Sequence, residues 1–518
     1  MSIDNPQTTN RSIARSAGVI GLATFISRLL GFLRDVVIAR LFGVYIYAQA
    51  FVIAFRIPNL FRDMVGEGAT NAAFVPVFSE YSRRHTKEDF WELANVVLNL
   101  LLVILMAITV LGIIFSPLLV RLIAPGFAAD PEKLAATITL NRIIFPYILL
   151  VSLSAYAMGV LNSLKHFVVP AFAPCLLNIS IIVFALLFGE GIKGLALGVL
   201  TGGLLQLAIQ IPVLYKKGFR LKLPRTLKHP AAYAMGKLML PRVASSCIYQ
   251  LNNFVDSIFG SLAWIVGEGG VAVLYFSYRL VQFPLGVFSN ALAQAILPTL
   301  STHALEDSNA GLKHTLSWGL RAVFLVMLPC SVAFMVLARP IVSTLFGGGR
   351  FDAYSIGLTA DALFYYSVGL CAYGGTKVLQ SCFFSLKDTV TPAKMAGLSL
   401  GLNVVFILIF IYPLKIAGIA LATSLSGIIT FGALFFILRK RIGDFGAKEA
   451  AVSFLRALAA SLCMGLVCYF SAGLGLNKYL NLALDLAAGA ASYVLFCFIF
   501  KVGEMRQLWD WIVRRRLA

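Results

Sequence analysis

Arginine recurs in this chain where its neighbours are apolar. Arg28, Arg34 and Arg40 fall with Asp35 in one such stretch, Arg56 and Arg62 with Asp63 and Glu67 in the next, and Arg279 far along the chain. A charged side chain at the centre of a bilayer costs about 3 kcal/mol even on the lenient insertion scale, so it should face protein or a wet cavity. Guanidinium groups in such a place suit a phosphate or carboxylate. Their planar fork donates two parallel hydrogen bonds and stays charged when desolvated. The alternative is that each arginine snorkels or pairs internally, Arg34 near Asp35 and Arg62 with Asp63 or Glu67. Lys377 and Asp256 are the other ionisable groups expected at depth.

The elements that must position these groups are helices. At 100° per residue Arg28 and Asp35 share a face, while Arg34 lies about 120° from Arg28, and Gly31 between them permits a bend. Of 518 residues 59% are hydrophobic and 13% charged, against roughly 45–50% apolar residues in soluble domains. Apolar runs recur along nearly the whole length. A helix needs about 20 such residues to cross the hydrocarbon core, and the short alternating segments of a membrane barrel are missing. The expected architecture is an all-α polytopic membrane protein of about fourteen transmembrane helices. The spans fall near 16–43, 47–78, 90–123, 136–162, 168–189, 192–215, 233–265, 270–301, 311–338, 354–384, 390–412, 415–438, 450–474 and 478–501.

Every second loop is basic, from Arg83, Arg84 and Lys87 through Lys165, Lys216–Lys228, Lys387 and Arg439–Lys448 to the tail with Arg514, Arg515 and Arg516. By the positive-inside rule both termini are expected in the cytoplasm, with the N-terminus kept rather than cleaved. All five histidines fall in the same set of loops, which argues against a histidine proton relay within the membrane. The net charge of +20 is distributed over these loops and not gathered into a nucleic-acid-binding domain. Eight cysteines lie in apolar stretches without metal-ligand spacing and read as small packing side chains.

The chain also repeats itself. Ser163-Leu-Lys-His-Phe-Val-Val-Pro170-Ala171 matches Ser385-Leu-Lys-Asp-Thr-Val-Thr-Pro392-Ala393, an offset of 222 (385 − 163). Pro76 and Ser79 match Pro298 and Ser301 at the same offset, and Arg56 is 223 residues from Arg279. An offset spanning six helices, an even number, keeps the two copies in the same orientation. Two parallel six-helix lobes are expected, in residues 1–228 and 229–448, with two extra C-terminal helices and a tail in 449–518. Duplicated bundles that rock about a shared site are a transporter architecture. No phosphate-binding loop of the Gly-x-x-x-x-Gly-Lys-[Ser/Thr] kind is present, and no clustered acids or exposed nucleophile mark an enzyme.

Phe25-Ile-Ser-Arg28-Leu-Leu-Gly31-Phe-Leu-Arg34-Asp35, Phe55-Arg-Ile-Pro58-Asn59-Leu-Phe-Arg62 and Glu67-Gly68-Ala69 resemble the N-terminal signature of the MurJ/MviN family of lipid II flippases. Phe145-Pro-Tyr-Ile-Leu-Leu150, Phe172-Ala-Pro-Cys-Leu-Leu-Asn178 and Tyr278-Arg279-Leu-Val-Gln-Phe-Pro284 extend the resemblance over essentially the whole chain. It implies a fourteen-helix member of the multidrug/oligosaccharidyl-lipid/polysaccharide exporter superfamily, resident in the bacterial cytoplasmic (inner) membrane. Arg28, Arg34, Arg62 and Arg279 would hold the diphosphate and acidic headgroup of lipid II in a central cavity, with Arg56, Asp35 and Glu67 beside them. The extra helices would form a groove for the polyprenyl tail. Transport would run by alternating access from the cytoplasmic to the outer leaflet, with lipid II, the membrane and other cell-wall synthesis proteins as partners. The resemblance implies no cofactor other than sodium as a coupling ion, at Asp256, Asn403, the carbonyl of Ile419 and the hydroxyl of Thr423. Gln49, Gln282 and Ile407 stand where relatives carry acids, so a gating ion pair is in doubt and a one-carboxylate sodium site is weaker. A flippase for another polyprenyl-diphosphate oligosaccharide, and a non-transporting scaffold of wall synthesis, remain as alternatives.

Overall fold

The computed structural model describes residues 6–62, 74–189, 191–222, 229–306, 309–471 and 477–517, without the side chains of 6–17, 61–62, 240–249 and 511–517. Glu67, and the side chain of Arg62, lie outside the described residues.

The chain divides into two compact units, Met1–Leu262 and Ala263–Ala518. The first holds α1 (Pro6–Phe42), α2 (Ile46–Arg62), α3 (Val75–Arg84), α4 (Lys87–Ile114), α5 (Ser116–Ile123) and α6 (Pro131–Ile144). It continues with α7 (Tyr147–Ser163), α8 (Val168–Phe188), α9 (Ile192–Ala208), α10 (Ile211–Lys216) and α11 (Pro230–Gly260). The second holds α12 (Ala263–Val266), α13 (Gly270–Pro284), α14 (Asn290–His303), α15 (Ala310–Val336), α16 (Ala338–Leu345) and α17 (Ala353–Val368). It closes with α18 (Leu370–Ser385), α19 (Val390–Leu414), α20 (Ile416–Ile442), α21 (Ala447–Ser471), α22 (Lys478–Ile499) and α23 (Gly503–Leu517). Among the described residues the only β pairing is an isolated bridge between Gly348 and Phe351.

The protein is an all-α, multi-pass membrane protein. Among the described residues ten helical spans are long and apolar enough to cross a bilayer, three of them formed by consecutive helices (α6 with α7, α9 with α10, α13 with α14), or eleven when α17 and α18, bent by 45° at Gly369, count as one span. The other expected spans, α1, α2 and α11, carry Arg28, Arg34, Asp35 and Arg40, Arg56, and Lys237 and Asp256 respectively. Lipid as the solvent explains the surface: Leu408, Ile409 and Tyr412 on α19 are 55%, 55% and 72% exposed, a run of outward apolar groups that water would not tolerate.

Several expected spans are broken where proline removes a backbone donor. Pro146 separates α6 from α7, and Pro117 and Pro340 follow the breaks at Phe115 and Leu337 that start α5 and α16. A five-residue π-helix, Leu285–Ser289, follows Pro284 at the end of α13.

The repeat is written into the backbone. α5 and α16 each span eight residues and start 222 apart (338 − 116), and α4 and α15 end 222 apart (336 − 114). Asp130 Oδ1 accepts from Lys133 N at 3.1 Å to cap α6, and Asp352 Oδ1 accepts from Ser355 N at 2.9 Å to cap α17. Lys165 and Lys387 both adopt a left-handed φ, 58° and 57°. At each, the lysine N–H donates three residues back, to Asn162 O or Phe384 O, at 3.0 Å. The next N–H donates five residues back, to Leu161 O or Phe383 O, at 2.9 Å. This pair of bonds is the left-handed helix stop usually built on glycine. The lysines place a cation on the last carbonyls, where the helix dipole favours it.

The first unit's core gathers Phe74, Phe78, Phe90 and Tyr156, with Phe78 5.7 Å from Phe90 and 6.1 Å from Tyr156 between ring centroids. Tyr156 Oη donates to Ala94 O at 2.7 Å, which satisfies the one polar atom buried there. In the second unit α21 and α22 are bound to the repeat helices. Tyr493 Oη donates to Leu325 O at 2.6 Å. Glu504, at the start of α23, pairs with Arg321 at 3.0 Å and accepts from Ser453 Oγ at 2.9 Å. The tail, read in the sequence only as a basic terminus, is therefore anchored by a buried carboxylate.

Candidate functional site

α1 carries three of the candidate residues, and they differ sharply in environment. Arg28 is exposed, whereas Arg34 is 5% exposed and Asp35 is fully buried. Arg34 donates from Nε and Nη2 to the same oxygen, Asp35 Oδ1, at 3.0 and 2.7 Å. Its Nη1 donates to Asn178 Oδ1 on α8 at 3.2 Å, and its Cζ lies 5.8 Å from the centroid of the Phe55 ring on α2. Asn178 Nδ2 donates in turn to Ser27 O at 3.2 Å and Pro174 O at 3.4 Å. One buried ion pair thus ties α1 to α8 and rests on an aromatic face of α2. The guanidinium charge is neutralised in place and its donors are directed at protein, the internal pairing foreseen for Arg34. Asn178 was not singled out as its partner, although it closes one of the family motifs, because the 144 residues between them conceal the contact.

Arg56 is half-buried on α2 and donates to the carbonyl of Asn253 and the hydroxyl of Ser257, both on α11. Ser257 Oγ also donates to Asn253 O at 2.8 Å. Asp256, the carboxylate of the expected sodium set, is half-buried on the same helix. Gln49 is 2% exposed on α2.

Arg279 belongs to the second unit, half-buried on α13. Its Nη1 donates to Gln282 Oε1 at 3.4 Å, one turn away on the same helix. Lys377 is half-buried on α18.

Three of the four residues of the expected sodium set converge within the second unit. Thr423 Oγ1 is 3.3 Å from Asn403 Oδ1 and 3.1 Å from Ile419 O, across α19 and α20. Neutral oxygens of this kind suit a hard cation. Ile407, fully buried one turn beyond Asn403, offers no charge, so a cation there depends on a carboxylate from elsewhere. Among the described residues no group of three His, Cys, Asp or Glu side chains is placed to hold a metal.

The family model for the lipid II flippase MurJ matches residues 38–484. The chain belongs to the MurJ lipid II flippase family. Its MurJ relatives include a probable lipid II flippase of Buchnera aphidicola, 36% identical over 417 residues, which cover 80% of this chain and 81% of that protein. The lipid II flippase of Burkholderia cenocepacia is 34% identical over 429 residues, 81% of this chain and 82% of that protein. A solved structure of a lipid II flippase MurJ in an inward closed conformation matches with a TM-score of 0.79 and 28% identity, over 93% of this chain and 98% of that one. A multidrug resistance transporter of the MATE family matches at 18% identity with a TM-score of 0.69, over 81% of this chain and 95% of that one, a likeness of fold alone. The MurJ family is one of transporters, not enzymes.

Proposed function

We propose that this protein flips lipid II, the polyprenyl-diphosphate-linked precursor of peptidoglycan, across the bacterial inner membrane. The observation that carries the reading is the placement of guanidinium groups on helices of both compact units: Arg28 and Arg56 in the first, Arg279 in the second. Family membership over residues 38–484 supports the choice of substrate.

In this reading the two repeats, 1–228 and 229–448, rock about a hydrated chamber lined by Arg28, Arg62, Arg279 and Arg56, which receives the diphosphate and the acidic headgroup. Arg34 and Asp35 hold the first repeat's helices in the arrangement that presents those cations, and Glu67 is kept as a candidate substrate residue beside them. The tail stays in lipid, along helices of 449–518. Both termini lie in the cytoplasm, as the alternation of basic loops requires. Sodium at Asn403, Ile419 and Thr423, with Asp256 supplying the carboxylate, would couple transport to a gradient by favouring one arrangement of the repeats. Moving one charge through 100 mV is worth about 2.3 kcal/mol, enough to bias such a cycle appreciably.

The test is replacement in a bacterium whose own lipid II flippase can be shut off. This chain is expected to sustain growth and wall synthesis under shut-off, and lysis despite normal abundance in the membrane would refute the assignment.

A further inference from the structure

A cavity of about 640 Å³ opens in the second unit where α21, which lies outside the repeat, meets α16 and α17. Its charged lining is one arginine and one aspartate, Arg339 on α16 and Asp361 on α17, and both are exposed. Around them stand Phe364, Tyr469 and Phe470, at 41%, 68% and 80% exposure. Neither charge makes an ion pair or a side-chain hydrogen bond with another described residue. The first repeat has no such pair: at the offset of 222 the matching residues are Pro117 and Thr139. The two charges therefore appear only in the copy of the repeat against which the appended helix packs.

The cavity lies at the end of α15 remote from Lys313 and His314, and at the end of α21 remote from Lys448. By the alternation of basic loops, that end of the helices points to the leaflet opposite those loops, where headgroups would meet it. Two opposite charges held apart at the edge of hydrocarbon ask for a ligand that carries both signs. A phosphate answers the guanidinium fork. An ammonium answers the carboxylate and the faces of Tyr469 and Phe470.

We propose that this cavity binds the headgroup of a zwitterionic phospholipid bearing a primary ammonium, phosphatidylethanolamine, with Arg339 on the phosphate and Asp361 on the amine. An anionic lipid with a glycerol headgroup also satisfies Arg339 through its phosphate, but it offers Asp361 neutral hydroxyls in place of an ammonium. The site thus selects by the amine, and it is separate from the proposed substrate arginines.

The experiment is native mass spectrometry of the full-length protein in detergent, titrated in parallel with phosphatidylethanolamine and phosphatidylglycerol. The wild type is expected to favour phosphatidylethanolamine by about fivefold, the worth of one partly exposed ion pair. Asp361→Asn should bring the two lipids to parity by weakening the ethanolamine lipid alone. Arg339→Gln should weaken both, and Arg339→Lys should recover part of the loss. Thermal melting of each variant separates a binding defect from misfolding, and Arg339→Lys and Asp361→Asn, which preserve side-chain size, keep the comparison open if Arg339→Gln is unstable. Equal binding of the two lipids by the wild type, preference for the glycerol lipid, or a preference unmoved by Asp361→Asn would each overturn the assignment.

Discussion

Arg34 and Asp35 are neighbours in the chain and on α1, and the buried oxygen Asp35 Oδ1 receives two of the guanidinium's hydrogen bonds. Breaking one side of a buried pair is far more damaging than never having had it, because the remaining charge stays buried without compensation. Arg34→Ala is therefore expected to lower stability by about 3–5 kcal/mol. Adding Asp35→Asn to that variant should recover much of the loss. A melting series on the single and double variants checks both, and additive losses would show that the pair does not act as a unit. Backbone strain offers a second residue-scale test. Gly189 and Lys415 end α8 and α19 in the same conformation, φ 54° and ψ −122° against φ 52° and ψ −126°. Only glycine adopts that region without strain, which runs to about 1–3 kcal/mol for other residues. Lys415→Gly should raise the melting temperature. Gly189→Lys should lower it although a Cβ there would meet open space, since conformation alone decides the effect.

At the scale of elements, Asp388 joins three of them. Its Oδ1 accepts from Thr391 N at 2.9 Å at the start of α19, just after α18, while its Oδ2 accepts from Arg441 Nη1 at 2.6 Å at the end of α20. The hydrogen bond from the Thr391 backbone, seconded by its hydroxyl and by Arg441, holds this carboxyl below its ordinary value of 3.8. A carboxyl depressed in the folded state stabilises above its unfolded pKa, and that contribution fades as the pH falls through the folded one. Melting temperatures of wild type and Asp388→Asn should therefore differ most above about pH 5 and converge as the pH falls through the lowered folded value. A gap independent of pH would remove the charge from the explanation. In the first repeat His166 occupies the equivalent place, so this latch belongs to the second alone.

Other features of the elements were less legible in the sequence. Hydropathy located the spans because a lipid-facing helix must be apolar along its length. It could not locate the interruptions at Phe115, Pro146 and Gly369, since these lie inside runs that remain apolar across the break. The helix from Gly503 to Leu517 escaped because its signal is a carboxylate, Glu504, whose value depends on Arg321 more than 180 residues earlier.

At the scale of the whole molecule the duplication was the most readable feature. Two short motif matches pointed to a 222-residue offset, and helix ends, aspartate caps and left-handed lysines reproduce it. The candidate site was legible in part. Residue type and an apolar setting marked Arg28, Arg34 and Asp35 alike as groups that must face protein or a wet cavity, but could not reveal that Arg34 directs its donors at Asp35 and Asn178 while Arg28, two turns earlier, remains exposed. Such differences arise from which neighbouring helix each face meets, and residue spacing does not carry that information. Within this one helix Arg34 is bonded to Asp35 and Asn178 while Arg28 is exposed, and the proposed function gives the anion to Arg28.

The central claim is that cations contributed by both repeats carry a lipid-linked diphosphate across the membrane. It is tested most directly by reconstituting the protein in vesicles with labelled lipid II and measuring how fast label becomes accessible to a probe outside. The wild type should expose it rapidly. Arg28→Glu and Arg279→Glu, one from each repeat, should each slow exposure at least tenfold with the protein still inserted and folded, since reversal replaces an attraction for phosphate with a repulsion. Wild-type rates in either variant would contradict the account.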